Sequence, residues 1–282
     1  MSSSSSSSSA APSLLRGSAV LIIWGRVHGY EDPNVERLLN DWWTYEHLPE
    51  RLALPGFHRT RRYYYSSLPR EEGVKDDGGD KVTTASGYSN YLVLYEVSSL
   101  AALTSPEYMH ALNNPTPGTK KYMRVLSGMS RSACRVLASV SRHEFAPCKV
   151  GGGGGTLGHI VFEAPAAADS RAKLQDWLSG DGWRSLCAKH SSLLAMHLLE
   201  HDEAATRSGS STKSYDEVDF KRGPESAVLK WMVLLEFTDP LGSPFASYGP
   251  QSDDIKQGLR KHDVDLSTVT QELFGLFVVM EE

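Results

Sequence analysis

One stretch of this chain, Asp41-Trp42-Trp43-Thr44-Tyr45-Glu46-His47-Leu48-Pro49-Glu50-Arg51, concentrates residues able to do chemistry. A histidine beside a carboxylate is a general acid/base pair, because imidazole changes charge near neutral pH. An arginine nearby can receive a carboxylate or an enolate through its planar fork of donors. The tryptophans and tyrosine supply flat walls for an aromatic ring. A second polar concentration follows in Phe57-His58-Arg59-Thr60-Arg61-Arg62-Tyr63-Tyr64-Tyr65. Strand alternation puts Phe57, Arg59, Arg61, Tyr63 and Tyr65 on one face and His58, Thr60, Arg62 and Tyr64 on the other. Buried cations need partners, and Glu96 on the neighbouring strand is one candidate. Structural ion pairing therefore competes with substrate binding for these arginines. As an edge strand, the segment would also use its charges against edge-to-edge aggregation.

The element that must position His47 is a helix. Asp32 is its predicted N-cap and Pro33 its first residue, and Val35, Leu38, Leu39 and Trp42 form an i, i+3, i+4, i+7 apolar stripe. Glu46 continues that stripe near its core-facing edge. Leu48 precedes a proline and is biased away from helical angles, so the helix is expected to end near His47. A helix C-terminus favours imidazolium by some tenths of a kcal/mol to about 2 kcal/mol, and an adjacent carboxylate adds to this. His47 is thus expected to be cationic or poised near neutrality. The competing reading has His47 cap the helix carbonyls while Glu46 pairs with Arg51 on the surface.

Gly151 to Gly155 is an uninterrupted glycine run that cannot hold a regular element. The pattern before it repeats after it. First strands are Val20 to Trp24 and His159 to Phe162, and the second helix starts about Asp169 with Leu174, Trp177 and Leu178 on one side. Second strands run Phe57 to Tyr65 and Leu193 to Glu200, followed by the polar loops Leu68 to Gly87 and His201 to Ser226. Third strands are Tyr91 to Val97 and Trp231 to Phe237. Short helices lie around Ser105 to Tyr108 and Asp254 to Arg260, and final strands at Arg131 to Leu137 and Leu273 to Met280. Strand-helix-strand-strand-helix-strand, twice over, predicts an α+β fold: two tandem ferredoxin-like (βαββαβ) units packed sheet-to-sheet as an intramolecular pseudo-dimeric α/β barrel. The boundaries are a disordered Ser-rich tail over 1–17, a first unit over 18–148 with the candidate site, a Gly-rich linker over 149–156, and a second, degenerate unit over 157–282. The expected state is a monomer with an internal pseudo-two-fold, or a weak homodimer.

A net charge of -5 argues against a general nucleic-acid binder. No apolar run is long enough to span a bilayer, and the Ser2 to Ser9 tract lacks the charged and apolar regions of a secretory signal. A cytoplasmic protein without nucleic-acid or membrane partners is expected. Cys134, Cys148 and Cys187 have unrelated spacings and are read as reduced thiols. His197 and His201 sit four apart on a strand, too far along its axis to share a metal. Tyr91 and Tyr95 share a face, and Arg131 and Arg135 are placed to pair with acidic groups of the other half.

Trp42 to Phe57 with its Glu-His-Leu-Pro core, Tyr91 to Leu103, Ser105-Pro106-Glu107-Tyr108, Asn113 to Pro117, and Arg131 to Arg135 together resemble the EthD-like members of the dimeric α/β-barrel proteins. The resemblance covers about half the chain. It implies a pocket between sheet and helices and small-molecule chemistry, often on aromatic or polyketide-like compounds. Several such proteins work without metal or cofactor as decarboxylases, cyclases, isomerases or monooxygenases; others bind haem.

These lines combine into a site with His47 and Glu46 catalytic, Glu46 orienting the imidazole. Trp43, Tyr45, Arg51, Arg59, Arg61 and Tyr95 would bind a small, anionic aromatic substrate. No cofactor or metal is required. The expected activity is acid/base chemistry of a secondary-metabolite enzyme, a lyase or isomerase performing decarboxylation, cyclisation or dehydration. The alternatives are a binding or accessory protein and a haem- or oxygen-dependent relative. At the matching position the second half reads Ser179-Gly180-Asp181-Gly182-Trp183-Arg184, without histidine or proline, which suggests one working pocket and one structural copy.

Overall fold

A computed structural model describes residues 14–27, 33–66, 89–126, 128–142, 154–216, 228–239 and 253–282. Asp32, Cys148, most of the Ser-rich tail and glycine run, all of the first polar loop and residues 217–226 of the second lie outside them. The first half contributes β1 (Ala19–Val27), α1 (Pro33–Trp42), α2 (Leu48–Leu52), β2 (Phe57–Ser66), β3 (Ser89–Val97), α3 (Pro106–Asn113), α4 (Pro117–Tyr122) and β4 (Ser130–Ser141). The second contributes β5 (Thr156–Glu163), α5 (Ala168–Ser179), α6 (Asp181–Lys189), β6 (Leu193–His201), α7 (Glu203–Ser210), β7 (Lys230–Phe237), α8 (Asp253–Lys261) and β8 (Thr270–Glu281).

The strands form one closed antiparallel barrel in the order β1-β3-β2-β8-β5-β7-β6-β4. This corrects the expected pair of ferredoxin-like sheets packed face to face. The strands that would have been sheet edges are hydrogen-bonded across the halves, β2 to β8 and β4 to β6. Joining edges removes the unpaired N–H and C=O rows that two separate sheets would have to shield. β2 is therefore an interior strand of the barrel, and its arginines do not guard an edge.

Alternation sorts the side chains. Val20, Ile22, Tyr63, Leu92, Leu94, Cys134, Leu157, Leu199, Met232, Leu234 and Phe274 fill the barrel. Two further apolar layers lie between the barrel wall and the helices, one per half. A register shift between Phe57 and Arg59 breaks the alternation expected for β2. Phe57 joins the helix-side layer, whereas Arg59 and Arg61 bond to Glu96 in the barrel. β6 carries the same irregularity between Leu193 and Ala195.

Candidate active site between the barrel and the first-half helices

The helix carrying the histidine does not end there. Pro49 has no N–H to give, and its ring disfavours a regular α-turn before it. Trp43–His47 instead forms a π-helical turn in which the Leu48 N–H reaches the Trp43 carbonyl, and the chain continues into α2 with Pro49 in its first turn. Such a turn inserts an extra residue and re-aims side chains. Trp43 and His47 face inward and are buried, while Tyr45 is 78% exposed and Glu46 lies at the surface.

No helix terminus supports an imidazolium at His47. Burial, helped by the positive charge of Arg51, pushes its pKa well below 6.5. The side chain is a neutral base at pH 7, which corrects the cationic or near-neutral expectation. The carboxylate near it is Glu50, 3.8 Å from Nδ1. Glu46 instead accepts from the Thr116 hydroxyl at 2.6 Å.

The remaining candidates divide between two sites. Trp43, His47, Arg51 and Tyr95 lie in the layer between helices and wall. The Trp43 ring is 5.5 Å from Tyr91 and 5.3 Å from the Arg62 guanidinium. Arg51 donates to Glu50 at 3.4 Å and stands 5.9 Å from the Tyr108 ring centroid. Burial raises the Tyr95 pKa well above 10, so its hydroxyl stays protonated.

Arg59 and Arg61 are elsewhere, inside the barrel. Arg59 donates to Glu96 at 2.9 and 2.8 Å. Arg61 bridges Glu96 at 2.8 Å and Glu236 at 2.6 Å, and His197 adds a contact to Glu236 at 2.9 Å. Burial would raise the Glu236 pKa, but Arg61 and then His197 hold it well below the usual carboxylate range. Two arginines balance two carboxylates there, so this cluster is a structural ion network.

Three further buried residues belong to the helix-side layer. Tyr108 and Tyr215 were not singled out as site residues, and Arg131 was expected to meet an acidic group of the other half but instead donates to the Thr206 carbonyl there. Tyr108 enters on α3, whose N-cap Ser105 accepts from the Tyr108 N–H. Arg131 enters on β4 and donates to the Tyr108 hydroxyl at 3.3 Å. Tyr215 comes from the second half, in a segment expected to be a loop, and faces the Arg131 guanidinium at 5.7 Å. The Asp202 cap of α7, which accepts from the Ala205 N–H, was a readable helix signal in that segment. Nothing local to Tyr215 announces its destination.

The layer holds donors that lack partners. Arg51 Nε and Nη1 are buried without a hydrogen-bond partner, as is His47 Nδ1, and Glu50 Oε2 is an orphan acceptor beside them. The Trp43 N–H donates to Tyr95, and Arg131 hydrogen-bonds Tyr215 as well as Tyr108. Leaving such groups unpaired costs about 1–3 kcal/mol each, more for charged ones. The surplus of donors suits an acceptor-rich, anionic group set among aromatic rings. Among the described residues, no group of three or more His, Cys, Asp or Glu is placed to hold a metal ion, and no helix is long and apolar enough to cross a membrane.

The fold and this site define a closed barrel carrying one donor-rich polar layer outside its wall. No family model and no curated protein matches the chain. A solved structure described as an anthrone oxidase-like protein is similar to it with a TM-score of 0.52, covering 95% of each chain at 10% sequence identity. That likeness shows a related fold.

Proposed function

We propose that this chain is an enzyme that removes a proton from a small aromatic substrate and holds the resulting anion, without a resident cofactor. The observation carrying this is a buried, neutral His47 beside Arg51, whose Nε and Nη1 have no hydrogen-bond partner. His47 would take a proton from a phenol or from a carbon acidified by a neighbouring carbonyl. From a phenol the electron pair would stay on the phenolate oxygen, and from the carbon it would pass to the carbonyl oxygen to give an enolate. In either case Arg51 would stabilise the oxyanion. Tyr95 would form part of the wall. From that enolate, aldol-type cyclisation or expulsion of a β-hydroxyl as water is accessible. Decarboxylation of a β-keto acid would arrive at the same enolate by loss of CO₂ in place of a proton, and Arg51 would stabilise it there too. Glu46, on the surface, has no part in this scheme; Glu50 would orient the imidazole. The Glu-His-Leu-Pro resemblance to EthD-like proteins and the neighbour described as anthrone oxidase-like support an aromatic substrate.

Anthrone itself is a suitable probe, because its methylene is acidified by the carbonyl through two rings. The protein in D₂O should accelerate exchange of those protons over buffer, followed by proton NMR. His47→Gln should reduce the acceleration by about 10²–10⁴-fold, the usual contribution of a positioned base. A loss smaller than tenfold would remove His47 from the mechanism, and binding without exchange would make the chain a binding protein.

A further inference from the structure

The second half enters the first-half site through α7, and this helix does more than cover it. Arg131 Nη1 donates to the Thr206 carbonyl of α7 at 2.7 Å, and the Thr206 hydroxyl accepts from the Ala133 N–H at 2.8 Å. One turn further on, Gly209 leaves the space the guanidinium fills. A Cβ at Gly209 would stand 2.2 Å from Arg131 Nη2 and 2.7 Å from Cζ. Arg131 is thereby pressed toward Tyr108, whose hydroxyl accepts from Nη2 and retains its own proton to donate. The same guanidinium also hydrogen-bonds Tyr215 and faces its ring at 5.7 Å. Tyr108 spans the two cations, with Arg51 over its ring and Arg131 at its hydroxyl.

Resting on the function proposed above, we propose that Arg131 and Tyr108 form a second acceptor-binding pole across the site from Arg51 and His47, and that α7 positions it through Gly209. The site would then select planar aromatics with acceptor groups on opposite edges: an acidic oxygen for Arg51 and a carbonyl for Arg131 and Tyr108. A ring bearing only one acidic group would engage the first pole alone. Selectivity would be set by the half of the chain that lacks the histidine.

Two probes separate the poles: 1-naphthoate, with one acidic group, and the anion of 2-hydroxy-1,4-naphthoquinone, with a further carbonyl across the ring. Their affinities for the full chain can be followed by tryptophan fluorescence quenching. The wild type should bind the quinone at least about tenfold more tightly. Gly209→Ala replaces a buried helical glycine with a better helix former, so lost helix propensity cannot explain weaker binding. It should weaken quinone binding about tenfold while moving naphthoate less than about twofold. Tyr108→Phe, which removes one oxygen, should do the same to a smaller extent. Equal losses for both probes, or no change in either variant, would overturn the second pole while leaving the first intact. Failure of the wild type to bind naphthoate would overturn the proposed function itself, and this inference with it.

Discussion

The strand ladders align the two halves residue by residue, and the two faces of the barrel wall then tell different stories. Paired positions relative to β3 and β7 match Glu96 with Glu236, Tyr95 with Leu235, Tyr91 with Trp231, Arg61 with His197 and Arg59 with Ala195. Inside the barrel both halves keep a buried carboxylate and a basic partner. On the helix side they part. The first half buries Tyr95, Tyr108, Arg51, Arg131 and His47, whereas the second packs Leu174, Leu178, Leu186, Leu235, Ile255 and Leu259. The helices differ accordingly: a π-turn swings His47 inward, while in the second half the chain breaks at Gly180 between α5 and α6. Inside, each charge must answer another, so neither half can change alone. The helix-side layer of each half meets its own helices and is free to become a site or a core.

The strongest way to break this comparison is to unbalance the interior. Arg61→Leu leaves Glu236 with only His197 and deprives Glu96 of one of its two arginines. Removing one partner of a buried ion pair typically costs about 3–5 kcal/mol, a large share of a domain's stability. Urea unfolding should show that loss, and adding Glu236→Leu should recover part of it. If Arg61→Leu changes stability by less than about 1 kcal/mol, the interior network is not what holds the halves together.

A weaker effect separates the polar layer from the apolar one by pH. His47 is buried with a lowered pKa, so below pH 6.5 the unfolded chain takes up a proton that the folded chain refuses. Its neutral burial is therefore fully tolerated above about pH 6.5, and stability is lost as pH falls below it, with a slope approaching about 1.4 kcal/mol per pH unit. Urea unfolding at pH 7.5 and 5.5 should show a larger drop for wild type than for His47→Gln. Proton abstraction should likewise persist below pH 6.5. Equal drops in the two proteins would mean that His47 is hydrated and ordinary.

Much of this scaffold is written locally. Tyr91 to Val97 and Trp231 to Phe237 are apolar enough to be strands buried on both faces, and the Val35, Leu38, Leu39, Trp42 stripe marks α1. The concentration around His47 also points to the polar layer that the structure shows. What stays hidden depends on distant pairing. β2 reads as an edge because a ferredoxin-like sheet would leave it one. Glu96 is legible as a partner for its arginines, but Glu236, 175 residues from Arg61 in sequence, is not. The bulge after Phe57 and the π-turn at Trp43 each shift the phase of a repeat by one residue. Periodicity then assigns Phe57 to the arginine face, while the rule that a proline ends the preceding helix stops the first helix at His47, where the π-turn carries it on into α2. Tyr215 is set in place by α7 docking on the other half, which no local pattern encodes.

The smallest effect tests which carboxylate belongs with His47. Glu46 is its neighbour in sequence, but the π-turn sends the two side chains apart: Glu46 to Thr116 at the surface, His47 toward Glu50. Glu46→Gln keeps an acceptor for the Thr116 hydroxyl, so stability should change by no more than about 0.5 kcal/mol and anthrone exchange by less than about twofold. Glu50→Gln, by contrast, removes the charge beside a buried imidazole and should slow exchange by more. The pair of variants is best read as a ratio within one exchange assay, since each changes a single oxygen to an amide. A slower Glu46→Gln than Glu50→Gln would return Glu46 to the site and show that the turn relaxes when substrate is bound.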